Sequence, residues 1–209
     1  MGEGATTPKE VEVIAVIGAG VLGRAITQAV ALGGYRTILE DLLPNALRHA
    51  QTEIRSSLES AAARGEINRA EVDTALRRIA YAGSIEDAAR VADVVIEAIA
   101  DELESKIEIF TLLDKICRPH TILVTNTFTL SVGEIASVTF RREKCVGMRM
   151  RPPIQDMRDL EIVRTDETDD HTVGAAAEIA RRIGKKAIVV PDNAGVGRPA
   201  TSDMSNGQR

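Results

Sequence analysis

The stretch VIGAGVLG, residues 16–23, constrains this chain more than any other. It spaces three glycines as Gly18-x-Gly20-x-x-Gly23. Before it runs VEVIAVIG (11–18), a β-branched segment ending in glycine, which predicts a buried strand. After it runs VLGRAITQAVALGG (21–34), where Leu22, Ile26, Ala29 and Val30 fall on one helical face and Gly33-Gly34 supplies the stop. Between a strand and a helix, each glycine has a separate task. The first permits a tight turn, the second lets the backbone approach a pyrophosphate, and the third lets helix and strand pack closely. The helix then presents unpaired N–H groups and the positive end of its dipole to phosphate. Gly18, Gly20, Val21, Leu22 and Gly23 are therefore candidate cofactor-binding residues.

A dinucleotide site of this kind needs an acid at the end of the next strand, about 20 residues on. RTILED (36–41) reads as that strand, and Asp41 stands at its end beside Glu40. A carboxylate there accepts from a ribose 2′-hydroxyl and repels a 2′-phosphate, which favours NAD over NADP. Arg36 lies at the opposite end of the strand, too far away to hold such a phosphate.

The remaining chain continues to alternate. Pro44 to about Arg64 and Glu66–Ala80 predict two helices, an αα-hairpin over about 44–80. VADVVIEAI (91–99) is a strand, and ELESKIEIFTLLDKIC (102–117) a helix with Ile107, Phe110 and Leu113 on its buried face. TILVTN (121–126) is a strand and SVGEIAS (131–137) a short helix. Further strands are expected from Cys145 to Arg151, in LEIVRT, and at KAIVV (186–190), with a helix over 171–184. This order predicts an α/β fold: a Rossmann-type, doubly wound, mostly parallel sheet with a protruding αα-hairpin. Residues 1–9 are expected to be a flexible leader, 10–191 the NAD-binding domain, and 192–209 a polar tail. Trp is absent and aromatics make up 2% of residues, so the core must be aliphatic, as in buried parallel sheets.

Several classes of partner are excluded. Charge is -5 and evenly spread, which argues against nucleic acid. No apolar run spans a membrane. Cys117 and Cys145 stand alone, outside any CxxC pattern, so neither a disulfide nor a metal site is expected, and the home is read as reducing and cytoplasmic.

At this point the chain resembles a known family, the NAD-binding domain of the 3-hydroxyacyl-CoA dehydrogenases. The similarity covers roughly residues 10–195. It rests on VIGAGVLGRAITQAVALGGYRTILED, RGEINRAEVDTALRRI, ADVVIEAIADELESKIEIFTLLD, ILVTNTFTLSVGEIA, CVGMRMRPPIQDMRDLEIV and RRIGKKAIVVPDNAGVG, in that order. The resemblance implies oxidation of a 3-hydroxyacyl thioester to the 3-keto form, with NAD as cofactor and an acyl-CoA-type substrate. It assigns the pyrophosphate to Gly18, Gly20 and Gly23 and the adenosine ribose to Asp41. Asp101 and Lys106 match positions facing the nicotinamide end, and Asn126 matches one beside cofactor and substrate. Read without the resemblance, Asp101 could be a helix N-cap and Lys106 a solvated helix residue.

The resemblance also exposes departures. In the family, the stretch matching Gly147–Pro153 reads Gly-Met-His-Phe-Phe-Asn-Pro, and its histidine is the general base for the hydroxyl proton. Here Arg149 holds that place and Pro152 the asparagine's. The serine of the family's TNTSS is replaced by Phe128. The glutamate that orients the histidine is present as Glu161. A guanidinium keeps its proton at neutral pH and cannot serve as the base, a function typically worth about 10²–10⁴ in rate. Arg149 could stabilise an oxyanion, or pair with Glu161 as a plain salt bridge. His49, His120 and His171 are expected at the surface. The family's helical domain after the PDNAGVG junction is not matched by the final residues, where Pro199 aligns with a substrate-contacting asparagine. These departures predict weak or absent dehydrogenase activity for the chain alone, or a non-catalytic NAD(H)-binding sensor or subunit. A protein partner or a second copy would then cover the surface left by that domain.

Overall fold

The computed structural model describes residues 11–192. The expected leader, most of the expected tail, and Pro199 lie outside the described residues. The first strand, β1 (Val13–Ile17), is buried along its whole length. It feeds α1 (Val21–Leu32), which ends at Gly33 and turns through Gly34 at φ +97°. Strand β2 (Arg36–Glu40) then pairs parallel with β1.

Helices α2 (Pro44–Ala63) and α3 (Arg69–Arg78) form the hairpin. Pro44 opens α2 at a position that tolerates a missing N–H. Asn68 and Glu71 form a reciprocal capping box that fixes the start of α3. The inner faces of the hairpin, through Ile54, Leu58, Val72 and Ala75, share a core with Ile26 and Val30 of α1. Its outer faces and its far turn around Gly65 are exposed. The helix expected to run to Ala80 stops at Arg78. The chain then becomes β3 (Ile79–Ala82), an edge strand parallel to β2 that the sequence pattern did not show.

A short helix, α4 (Ile85–Ala89), leads across to β4 (Val94–Glu97) on the other side of β1. Helix α5 (Leu103–Ile116) and strand β5 (Ile122–Thr125) follow, then α6 (Val132–Ala136) and β6 (Cys145–Arg149). Only residues 150–158, with one 3₁₀ turn, connect β6 to β7 (Asp159–Arg164). That is too short for a crossover, so β7 runs antiparallel to β6. Helix α7 (Asp170–Arg182) is long enough, and β8 (Lys186–Pro191) returns parallel to β7.

The sheet order is β3-β2-β1-β4-β5-β6-β7-β8. Helices α1, α2, α3 and α7 cover one face, and α4, α5 and α6 the other. The order reverses between β1 and β4, so a crevice opens beyond their C-terminal ends, where doubly wound folds bind ligands. Among the described residues, no helix is long and apolar enough to cross a membrane.

Candidate dinucleotide and active site

The glycine loop sits at the mouth of that crevice, and its geometry separates the three glycines. Gly18 has φ +101°, a conformation that side chains disfavour, and a Cβ there would lie 3.1 Å from the Ala98 carbonyl oxygen. A Cβ on Gly23 would lie 1.8 Å from the Gly18 carbonyl oxygen, so helix α1 could not seat against the loop. A Cβ on Gly20 would meet no protein atom within 4 Å. The first and third glycines thus serve the fold, and the second leaves open space. Gly20 is also the N-cap of α1 and offers no side chain to the first-turn amides. The N–H groups of Val21 and Leu22 have no acceptor within the helix. A bare backbone, a helix N-terminus and clear space fit the diphosphate of a dinucleotide.

Asp41 is half-buried just past β2. Its Oδ2 accepts from the Ala19 amide at 2.9 Å and its Oδ1 from the Leu43 amide at 2.9 Å. The carboxylate therefore ties the glycine loop to the end of β2 and retains lone pairs for a hydroxyl. Glu40 alternates to the other face of the strand and is buried.

Beneath the crevice lies an ion pair that the sequence reading missed. Lys106, in the first turn of α5, is fully buried, as is Glu97 at the end of β4. The Lys106 ammonium donates to both Glu97 oxygens, at 2.8 and 2.7 Å, and to the Asn126 carbonyl at 3.0 Å. Glu97 also accepts from the Thr125 hydroxyl and the Ile99 amide. Burial pushes the Glu97 carboxyl upward, against the pull of Lys106, Thr125 and Ile99. Lys106 is thus neither a solvated helix residue nor open to the crevice. It supports the crevice floor, joining the ends of β4, β5 and α5.

Asp101 does not cap α5. Glu102 occupies the N-cap, without a side-chain bond. Asp101 is instead exposed, accepts from the Thr129 hydroxyl at 3.0 Å, and lies 3.8 Å from Lys106 Nζ. Asn126 is buried, and its side-chain oxygen accepts from the Met150 amide. It therefore links the end of β5 to the chain leaving β6.

Arg149 and Glu161 are opposed in the β6–β7 register. Arg149 Nη1 lies 2.8 Å from Glu161 Oε2, and Nε donates to the Thr127 carbonyl at 3.3 Å. The strand ends at Arg149 instead of Arg151, and the Arg151 guanidinium stands over the Phe128 ring at 6.0 Å. His49, His120 and His171 are all exposed, as expected, and none is a hydrogen-bond partner of Arg149 or Glu161. Burial pushes the Cys117 thiol up to about 11 and the Cys145 thiol up to about 12, so neither is a ready nucleophile. Among the described residues no cluster could hold a metal ion.

A second concavity, about 490 Å³, lies on the other face between α1, α2 and the β6–β7 connection. Its walls include Ala25, Ile54, Ile67 and Ile154, and Arg24, Arg64, Arg182 and Lys185 also line it.

Sheet order, glycine loop and terminal acid define a dinucleotide-binding domain of the doubly wound class. The chain belongs to the family described as 3-hydroxyacyl-CoA dehydrogenase, NAD binding domain, whose model matches residues 13–193. NAD, the cofactor expected from the glycine loop and Asp41, is the one in that description. The chain is 36% identical over 183 residues to a probable 3-hydroxybutyryl-CoA dehydrogenase of Bacillus subtilis, covering 88% of this chain and 63% of that protein. It is 31% identical to a peroxisomal fatty acid β-oxidation multifunctional protein of rice, covering 88% of this chain and 25% of that one. The crystal structure of 3-hydroxybutyryl-CoA dehydrogenase from Escherichia coli superposes with a TM-score of 0.85 at 30% identity, covering 90% of this chain and 39% of that one. The chain thus spans between a quarter and two thirds of these relatives.

Proposed function

We propose that this domain binds NAD(H) in the crevice and an acyl-CoA-type ligand in the neighbouring groove, and that its own hydroxyacyl dehydrogenase turnover is weak or absent. The observation that carries the reading is the Arg149–Glu161 pair, 2.8 Å apart, at the position where the family's reaction needs a base. NAD, when bound, supplies the hydride acceptor. The chain's own contribution would be to accept the hydroxyl proton. Arg149 has no basic lone pair to offer, and Glu161 is already committed to it. Gly20, Val21 and Leu22 hold the diphosphate, Asp41 the ribose, and Asp101 and Asn126 the approach to the nicotinamide end. Lys106 holds the ends of β4 and β5 together from below. The groove suits a thioester of coenzyme A, because cations stand beside an apolar wall that could take an acyl chain.

Titration with NADH, followed by the cofactor's fluorescence, tests the first half. Saturation at about micromolar levels is expected. Acetoacetyl-CoA with NADH tests the second half: turnover within about tenfold of an ordinary family enzyme would overturn it. A non-catalytic NAD(H) sensor is the second reading, favoured by the same arginine. It predicts NADH binding with no turnover on any 3-ketoacyl thioester.

A further inference from the structure

Three acids are buried among the described residues: Glu40, Asp93 and Glu97. Glu97 is answered by Lys106, Thr125 and Ile99. Asp93 accepts from the Glu12 and Val13 amides. Glu40 differs. It is 2% exposed, and its Oε1 has no hydrogen-bond partner among the described residues. A buried carboxyl oxygen left unpaired is costly, and native structures seldom leave one without a reason.

Its position suggests the reason. Glu40 ends β2, flanked in the sheet by Ile17 and Ala82, and its carbonyl accepts from the Gly18 amide at 2.9 Å. It is therefore joined to the glycine loop and adjacent to Asp41. No cation answers it from the elements on its face. In α4, Glu86 and Asp87 are acidic and Arg90 is paired with Glu86. In α5, Lys106 is committed to Glu97. Asp101 is occupied by Thr129. Tyr81 of β3 is in register with Leu39 and so faces the other side. The charge that acts on Glu40 is that of Asp41. Burial first, and Asp41 second, push its carboxyl up to about 7.

We propose that Glu40 is a second recognition residue for the dinucleotide, its carboxyl donating a hydrogen bond to the adenosine half where Asp41 only accepts. The inference rests on the NAD reading above. The two acids then divide the work. Asp41 accepts hydrogen bonds from the ribose hydroxyls. Glu40, neutral, offers its own proton to a nitrogen or oxygen of the adenosine. The diphosphate adds negative charge nearby, so an occupied site favours the protonated acid further. By linkage, affinity is full while Glu40 keeps its proton and falls as pH rises through neutrality.

The test is NADH titration of the wild-type domain, Glu40→Gln and Glu40→Val at pH about 6 and about 8.5, either side of the Glu40 transition. Wild-type Kd should rise about three- to tenfold between the two. Glu40→Gln, which keeps a donor and never ionises, should hold the low-pH affinity at both. Glu40→Val should bind weakly at both. Equal wild-type Kd at both pH values, or the wild-type pH profile surviving in Glu40→Gln, overturns the proposal. So does full low-pH affinity in Glu40→Val. Should one variant fail to fold, the wild-type profile and the other variant still decide. Absence of NADH binding by the wild type at either pH removes the NAD reading itself, an outcome distinct from pH-independent binding.

Discussion

Lys106 Nζ sits 2.8 and 2.7 Å from the two carboxylate oxygens of Glu97, with neither side chain exposed. Desolvation of such a pair offsets much of its attraction, but removing one partner strands the other in the dry interior. Lys106→Met should therefore cost about 3–5 kcal/mol in urea unfolding. A Glu97→Leu/Lys106→Met double variant should recover a large part of that loss. A single variant within about 1 kcal/mol of wild type would show that water reaches the pair.

The glycine loop predicts a clean separation of folding from binding. Gly23→Ala should lose about 3 kcal/mol or more, because its Cβ would fall 1.8 Å from the Gly18 carbonyl oxygen. Gly20→Ala has open space for its methyl and should melt within a few degrees of wild type. Its NADH affinity should nevertheless drop about tenfold or more, because the methyl stands where the diphosphate must approach. Thermal unfolding and NADH titration on both variants read this directly.

Arg149→His restores a titratable base opposite Glu161. NADH-dependent reduction of acetoacetyl-CoA should rise by about tenfold or more over wild type. The stability change should be small, about 1 kcal/mol, because Glu161 is 44% exposed and water screens the pair it loses. No gain in turnover, with NADH still bound, would place the block at Phe128, Pro152 or elsewhere.

Glu40 also makes a stability prediction independent of cofactor. Its folded carboxyl is raised from an ordinary 4.5 to about 7. Between those values the unfolded chain releases the proton and the folded one retains it. Stability therefore declines as pH rises across that window and levels off above it. Glu40→Gln removes the decline. The variant should match wild type near the lower end and exceed it by up to about 3 kcal/mol at pH about 8, measured by denaturant unfolding across the range.

Much of this was readable in the residues, for physical reasons that also explain the gaps. A strand, a Gly-x-Gly-x-x-Gly turn and an acid at the right distance admit few folds, so the crevice and Asp41 could be placed. Strand β3 was hidden because its four residues, Ile79–Ala82, follow helical spacing without a glycine or proline to mark the change. Tertiary pairing with β2 converts them. The buried stripe of α5 was read as Ile107, Phe110 and Leu113, yet the buried residues are Lys106, Phe110 and Leu113. Spacing of four and then three residues favoured Lys106 all along. Its charge argued for the surface. The signal against that was Glu97, an acid ending an otherwise apolar strand nine residues earlier. The Arg149–Glu161 pair followed from two opposite charges on neighbouring strands, but their antiparallel register depended on the short β6–β7 connection.

The central position of β1 bears on how the chain reaches this state. It is the first described strand to leave the ribosome, and β2 becomes available soon after. Its other neighbour, β4, pairs Ile14 with Val94, and the Val13 amide waits for the Asp93 carboxylate 80 residues downstream. During synthesis β1 must therefore persist with one edge open while the whole helical hairpin is made. Such remote closures slow folding and lengthen the exposure of an apolar edge. The interval between the emergence of β1 and of β4 is accordingly when this domain is most vulnerable to aggregation.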